Sequence, residues 1–317
     1  MPLDLVAIRA AHERIRAHIT RTAVLTSARL DAASGASLFF KCENFQKVGA
    51  FKARGATNAV FSLDDATARL GVATHSSGNH AAALSRAAKL RGIPAHIVMP
   101  SNTLKVKIRA VEGYGGQIVF CEPTQEARET TCAQVIEETG ATLIHPFENE
   151  QVMAGQGTAA VELLEEISDL SLLLCPVGGG GLLCGTAVAA KAMRPEIKVI
   201  ATEPATADDA AQSFRAGRLM PLKKPDTIAD GLRTNVGAPN FPLIQRYVDD
   251  VVTVSEEAII RAMREIWETM KIIIEPSAAV PYAAILEHKV DVQDHRVGVI
   301  LTGGNVDLDA LPWMRKE

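Results

Sequence analysis

The sequence predicts an α/β chain made of two units, each built on a parallel sheet with helices on both faces. From about residue 69 to 144, β-prone apolar runs alternate with helical stretches, and such a βαβ series implies parallel strands joined by crossover helices. Further on, the apolar run LLLCPV passes through four glycines directly into a second helical stretch. At 317 residues and 47% hydrophobic content the chain can bury one large or two medium cores. The alternating block, placed at 61–148, reads as a smaller unit inserted into a larger one formed by 1–60 and 149–317.

Taken in order, Leu5, Ile8, Ala11, Ile15 and Ile19 fall at helical spacing and predict a helix over 4–19, stopped by the polar turn at Thr20 to Thr22. SLFFKCENF (37–45) is a strand leading into VGAFKARGATNAV (48–60). In the small unit, GVATHSS, AHIVMP, QIVFCE and ATLIHP are strands, separated by helices over 79–91, 102–113 and 125–138. The large unit resumes with GQGTAAVELLEEI (155–167), LSLLLCPVGGGG, a helix over 182–193, the strand IKVIATEP (197–204) and a mixed tail ending in the strand VGVILTGG (297–304). There is no internal repeat or low-complexity tract.

Thirty-three Lys and Arg against 37 Asp and Glu give a net charge of -4 with no basic run, which argues against nucleic acid and for a small-molecule partner. Composition sets aside membrane-spanning and disordered classes. Cys42, Cys121, Cys132, Cys175 and Cys184 are odd in number, scattered and without a CxxC pair, so they read as reduced core residues. The N-terminus has acidic Asp4 and helical periodicity where a signal peptide would carry a basic flank and a continuous apolar run. A cytoplasmic protein is expected. The chain stops soon after TGGNVDL, so no appended regulatory domain is expected.

Four segments carry chemistry. Lys52 lies between Ala50, Phe51 and Ala53, apolar neighbours that disfavour its charged form and make the amine a nucleophile or base, where an ordinary surface lysine is the plainer reading. Gly178, Gly179, Gly180 and Gly181 allow a ligand to approach the backbone, and the N-terminal amides of the following helix attract an anion. Ser76, Ser77, Gly78 and Asn79 also end a strand and open a helix, which suits a carboxylate or a plain N-cap. EPATADDAAQSF (203–214) by itself reads as a helix start with acidic residues at the favourable end.

In order and spacing, GAFKARGA, SSGNHAAAL, PVGGGGLLCGTAVAAKA and LTGGNVDL resemble the fold type II pyridoxal phosphate enzymes: serine and threonine dehydratases, serine racemase and 3-hydroxyaspartate dehydratase. The resemblance covers nearly the whole chain. It implies that Lys52 carries the cofactor and takes the substrate's α-proton, that Phe51 packs on the cofactor ring, and that Gly178 to Gly181 cradle the phosphate. Asn79 would meet the ring hydroxyl and Thr302 the ring nitrogen. A neutral hydroxyl there holds the nitrogen protonated less strongly than a carboxylate, which favours β-elimination over transamination. Ser76, Ser77, Gly78 and Asn79 would receive the substrate α-carboxylate, while His80 is read as structural. Ser77 matches the serine that acts from the opposite face in serine racemase, where many threonine dehydratases carry Ala.

The resemblance further implies a divalent cation, Mg²⁺, Mn²⁺ or Ca²⁺, on Glu203, the Ala207 carbonyl and Asp209, and a homodimer. FFKCENFQKVGAFKARGA looks most like the 3-hydroxyaspartate dehydratases. For that substrate Arg128 and the donors around His145 are candidates to hold the second carboxylate. The expected function is loss of water from a 3-hydroxy amino acid to give a keto acid and ammonia. An amino-acid racemase using Lys52 and Ser77 is the alternative. A non-catalytic regulatory relative has no need to keep Lys52, the glycines and Asn79 together.

Overall fold

Six strands of the C-terminal and N-terminal segments form one sheet and four strands of the middle segment form another, as described by a computed structural model over residues 3–314. The first segment runs α1 (Leu5–Ile15), β1 (Val24–Leu25), α2 (Ala28–Ser34), β2 (Ser37–Cys42), α3 (Lys52–Ser62) and α4 (Asp65–Arg69). The alternating block follows as β3 (Val72–His75), α5 (Asn79–Arg91), β4 (Ala95–Pro100), α6 (Lys105–Gly113), β5 (Gln117–Cys121), α7 (Gln125–Thr139) and β6 (Thr142–Leu143). Then come α8 (Glu150–Glu166), β7 (Leu172–Pro176), α9 (Gly181–Met193), β8 (Lys198–Pro204), α10 (Asp209–Ala216) and α11 (Phe241–Tyr247). The last segment is β9 (Asp250–Val254), α12 (Glu256–Met270), α13 (Pro276–Leu286) and β10 (Arg296–Leu301).

The small sheet has the order β5-β4-β3-β6 with every pair parallel, as the alternating sequence requires. The large sheet has the order β1-β2-β10-β7-β8-β9 and is parallel except at its edge, where β1 pairs antiparallel with β2. Strand alternation sends successive side chains to opposite faces. Leu38, Phe40, Leu172 and Leu174 therefore join α12 and α13 in one core, while Phe39, Leu173 and Cys175 join α8 and α9 in the other. The small sheet divides the same way: Val72, Ile97 and Met99 pack with α3 and α5, and Ala73 and Val98 with α7. Among the described residues no helix is long and apolar enough to cross a membrane.

The first helix stops at Ile15, four residues before the periodicity does. Its continuation is drawn off by Gln46, whose side chain accepts from the Thr20 N–H (2.9 Å) and donates to the Thr20 carbonyl (2.7 Å). Helices α3, α8 and α9 cross at glycines. A Cβ on Gly155 would lie 2.6 Å from Gly55 Cα, and one on Gly157 would lie 2.7 Å from the Gly185 carbonyl oxygen. These close approaches fix the axis of α3, and α3 begins at Lys52.

Candidate active site

Three helices begin around one region with no side chain capping their first turns: α3 at Lys52, α5 at Asn79 and α9 at Gly181. The first N–H groups of a helix lack intrahelical partners, so each such end attracts anions. Two segments bring these ends together. Residues 302–304 run beside 49–51, with the Phe51 N–H donating to the Thr302 carbonyl (2.9 Å) and the Gly304 N–H to the Gly49 carbonyl (2.9 Å). Residues 144–148 lie between Lys52 and the glycine loop.

The Lys52 amine donates to the Pro146 carbonyl (2.7 Å) and sits 5.1 Å from the centre of the Phe51 ring. Burial pushes the amine down to about 8, the direction expected from its apolar neighbours. Thr302 is buried and its Oγ1 has no hydrogen-bond partner among the described residues. An orphaned hydroxyl in a buried position calls for a partner that protein atoms do not provide. The ring nitrogen of pyridoxal phosphate fits that need, and the uncapped start of α9 fits its phosphate.

The glycines answer to packing as well as to a ligand. A Cβ on Gly179 would lie 2.2 Å from the Phe147 ring, and one on Gly181 would lie 3.0 Å from Phe147 Cα. Gly180 has φ +93°, a conformation costly for other residues. Asn240 ties the layers together, donating from Nδ2 to the Phe147 and Gly179 carbonyls (3.1 and 2.6 Å). Gly179→Val is therefore expected to lower melting temperature and cofactor affinity together, measured by thermal unfolding and cofactor titration. Lost stability with unchanged affinity would leave the loop as a packing element alone.

Ser76 to Gly78 form the turn between β3 and α5, and a Cβ on Gly78 would meet nothing within 4 Å, so this turn faces open space. Gly78 and Asn79, with Val48, Lys107 and Asn305, line a cleft of about 840 Å³. The amide of Asn79 donates to Glu275 (3.0 and 3.1 Å), and its oxygen accepts from Asn305 Nδ2 (2.9 Å). His80 Nε2 lies 3.0 Å from the Ile144 carbonyl, and burial takes its pKa down to about 3, so it is a neutral donor with a structural role.

Arg128 donates from Nη2 to the His75 carbonyl (3.3 Å), and its buried Nε has no partner among the described residues. The His75 ring packs edge-on to His145, 5.5 Å between centres. Burial, with His75 and Lys52 nearby, lowers His145 to about 4. His145 is thus neutral near pH 7 and accepts from the Glu148 N–H at Nδ1 (2.9 Å). Arg128 thus bonds the backbone of His75, whose ring meets that of His145, the residue before Pro146.

Glu203 and Asp209 are both buried, and they accept from the backbone N–H groups of Ala210 and Ala211, and of Val236, respectively. Burial holds their carboxyls up, Glu203 to about 9 and Asp209 to about 6. A cation beside them would reverse that shift. Among the described residues no group of three or more His, Cys, Asp or Glu side chains gathers as a metal centre. The donor set present is two carboxylates, with the Ala207 carbonyl between them in sequence.

Sequence reasoning missed Pro146, Phe147, Asn240, Asn305 and Glu275. Of these, Asn305 lies within the quoted segment LTGGNVDL, and Glu275 left a signal of its own: a carboxylate followed by proline inside the apolar run IIIEPSAAVPYAAIL.

A family model described as pyridoxal-phosphate dependent enzyme matches residues 15–303. The chain is 51% identical over 304 residues to a β-hydroxyaspartate dehydratase of Paracoccus denitrificans (strain Pd 1222), covering 96% of each. It is 50% identical over 313 residues to a serine racemase of Arabidopsis thaliana, covering 97% of this chain and 95% of that one. The solved structure of maize serine racemase superposes with a TM-score of 0.95 at 47% identity, over 98% of this chain and 95% of that one.

Proposed function

The chain belongs to the pyridoxal-phosphate dependent enzymes, and from that premise we propose that it eliminates water from 3-hydroxyaspartate, in preference to serine or threonine, and that the enamine released passes to an imine and takes up water to give a keto acid and ammonia. When bound, the cofactor supplies a sink for the electron pair left at the substrate's α-carbon. The protein supplies the rest. Lys52 holds the cofactor covalently and, once displaced by the substrate's amine, takes the α-proton, a task suited to an amine whose pKa burial has brought to about 8. Phe51 packs on the ring, Gly178 to Gly181 and the start of α9 hold its phosphate, Asn79 its hydroxyl and Thr302 its nitrogen. The turn Ser76 to Asn79 receives the α-carboxylate on open backbone N–H groups.

The observation that carries the substrate choice is Arg128, a half-buried guanidinium that among the described residues has an unpartnered Nε and only a backbone carbonyl on Nη2. A second substrate carboxylate satisfies it, whereas the side chains of serine and threonine bring no charge. A keto-acid assay across the stereoisomers of 3-hydroxyaspartate, serine and threonine is expected to give the highest kcat/KM for hydroxyaspartate. Arg128→Ala is expected to narrow the gap by about tenfold, or 1.4 kcal/mol in transition-state binding. Serine or threonine ahead by that factor would overturn the substrate assignment. Racemisation is the second reading, supported by Ser77 on the α5 turn and by the serine racemases among the relatives. Exchange of the α-proton with inversion, and no keto acid, would establish it instead.

A divalent cation on Glu203, the Ala207 carbonyl and Asp209 completes the reading. It supports the loop before α10 by neutralising two buried carboxylates, and oxygen donors suit Mg²⁺, Mn²⁺ or Ca²⁺. EDTA is expected to lower the melting temperature, because a ligand bound only to the native state adds stability. Metal analysis finding no divalent ion, together with no effect of EDTA, would return the segment to a helix start. We further place the protein in the cytoplasm as a homodimer. Five free, buried cysteines support the compartment, and sedimentation tests the dimer.

A further inference from the structure

We propose that Glu275 is a positioning residue for the cofactor: its carboxylate fixes the side-chain amide of Asn79 and so sets which atoms of Asn79 face the cofactor's ring hydroxyl. Glu275 precedes α13 and is 4% exposed. Both its oxygens accept from Asn79 Nδ2, at 3.0 and 3.1 Å, and Oε2 also accepts from the Asn305 N–H at 3.2 Å. Asn305 Nδ2 in turn donates to Asn79 Oδ1 (2.9 Å) and to the Val48 carbonyl (2.7 Å). Asn79 thus has its amide nitrogen against a carboxylate and its oxygen against an N–H donor, and the flipped amide would lose both. The Glu275 N–H donates to the Gly303 carbonyl (2.9 Å), and a Cβ on Gly303 would lie 2.7 Å from Glu275 Oε1, so the carboxylate lies directly against the residue after Thr302.

The carboxylate is held by neutral amides, an expensive arrangement for a buried charge. Burial, with Asp230 nearby, raises it to about 7, against the hydrogen bonds from Asn79 and Asn305 and the charge of Lys107, which itself pairs with Asp230 at 2.6 Å. Gln is nearly isosteric with Glu but cannot replace it. Whichever way the amide introduced by Glu275→Gln turns, one of its N–H groups faces Asn79 Nδ2 or the Asn305 N–H, donor against donor.

The inference rests on the reading that Asn79 meets the ring hydroxyl, and the test separates the two. On the holoenzyme, the visible band of the Lys52-bound cofactor and the rate of cofactor loss are measured for Glu275→Gln, Asn79→Ala and the double variant. Glu275→Gln and Asn79→Ala are each expected to move the band in the same direction and to weaken cofactor retention about tenfold or more, with the double variant no worse than Asn79→Ala alone. The parent band is expected to titrate near pH 7, and that titration to vanish in Glu275→Gln. If Asn79→Ala moves the band and Glu275→Gln does not, or if the two effects add, the inference is overturned and the hydroxyl reading stands. If Asn79→Ala itself changes nothing, both fall. Should Glu275→Gln fail to fold, Asn305→Ala decides, since it keeps the backbone N–H to Glu275 and removes the side-chain donor to Asn79 Oδ1 together with its bond to the Val48 carbonyl: a parallel band shift absorbed in the Asn79→Ala background supports the proposal, and an unmoved band overturns it.

Discussion

Lys52→Ala is expected to fold and to lose keto-acid production altogether. Loss of a general base alone costs about 10²–10⁴-fold in rate, and here the same amine is the point of covalent attachment, so the two losses compound. The fold is expected to survive because Lys52 is the first residue of α3, its side chain makes one hydrogen bond among the described residues, to the Pro146 carbonyl, and it is replaced by the best helix former. Circular dichroism and turnover on one preparation check both halves. Dehydration near the parent rate would sink the assignment of the site.

A pH dependence follows from the same amine. In the cofactor-free protein its pKa is about 8, against 10.5 when exposed, so between those values the unfolded chain binds more protons than the folded one. Stability of the parent therefore rises with pH across that window, and below pH 8 the cost of burying the charge is fully present. Lys52→Ala lacks that cost. Its stability advantage over the cofactor-free parent is expected below pH 8 and is expected to fade by pH 10.5, as denaturant midpoints at several pH values would reveal. An advantage that grows with pH would contradict the burial of the amine.

What could be read from the sequence was local. The strands around Val72, Ile97 and Leu173 announce themselves by apolar runs, and Lys52 and Gly178 to Gly181 by the residues around them, whereas Asn79 and Thr302 are singled out only by the family resemblance. The structure places Thr302 and Asn79 beside the segments leading into Lys52 because residues 302–305 run against 48–51. The contacts that orient those groups are not local. Asn79 meets Glu275 across 196 residues and Asn305 across 226. No periodicity encodes such a pairing, since it depends on how the two sheets face each other. Phe147 is a similar case: its role against Gly179 appears only once 144–148 is seen to cross the loop, so the four glycines read as a ligand cradle when part of their cause is a ring.

The same limit hid a buried charge network, and Arg54→Met is expected to cost about 3–5 kcal/mol of stability, the usual penalty for removing one partner of a buried ion pair. Arg54 lies two residues past Lys52 and is fully buried. Its guanidinium is bidentate to both Glu43 (2.7 and 2.8 Å) and Glu162 (2.8 and 2.8 Å). Lys41 donates to Glu162 (2.7 Å) and to the Thr22 carbonyl (2.7 Å), and the Thr22 hydroxyl to Glu43 (2.6 Å). Two cations and two carboxylates balance, and they bind the start of α3 to β2 and α8, so the position of Lys52 depends on them. Although burial opposes ionisation of Glu162, hydrogen bonds from His12 and Arg54 and the charges of Arg54 and Lys41 hold its carboxyl well below the usual carboxylate range. Stability from that depressed carboxyl is fully present above its unfolded value and is lost as pH falls from there through the lower folded value. Arg54→Met leaves one carboxylate unmatched, whereas Arg54→Met with Glu43→Gln restores neutrality and keeps the Lys41–Glu162 pair. Urea unfolding is therefore expected to show the double variant more stable than Arg54→Met alone, with the single variant losing cofactor more readily than the parent. A cost under about 1 kcal/mol for Arg54→Met, the range of exposed ion pairs, would show that the network does not hold α3 in place.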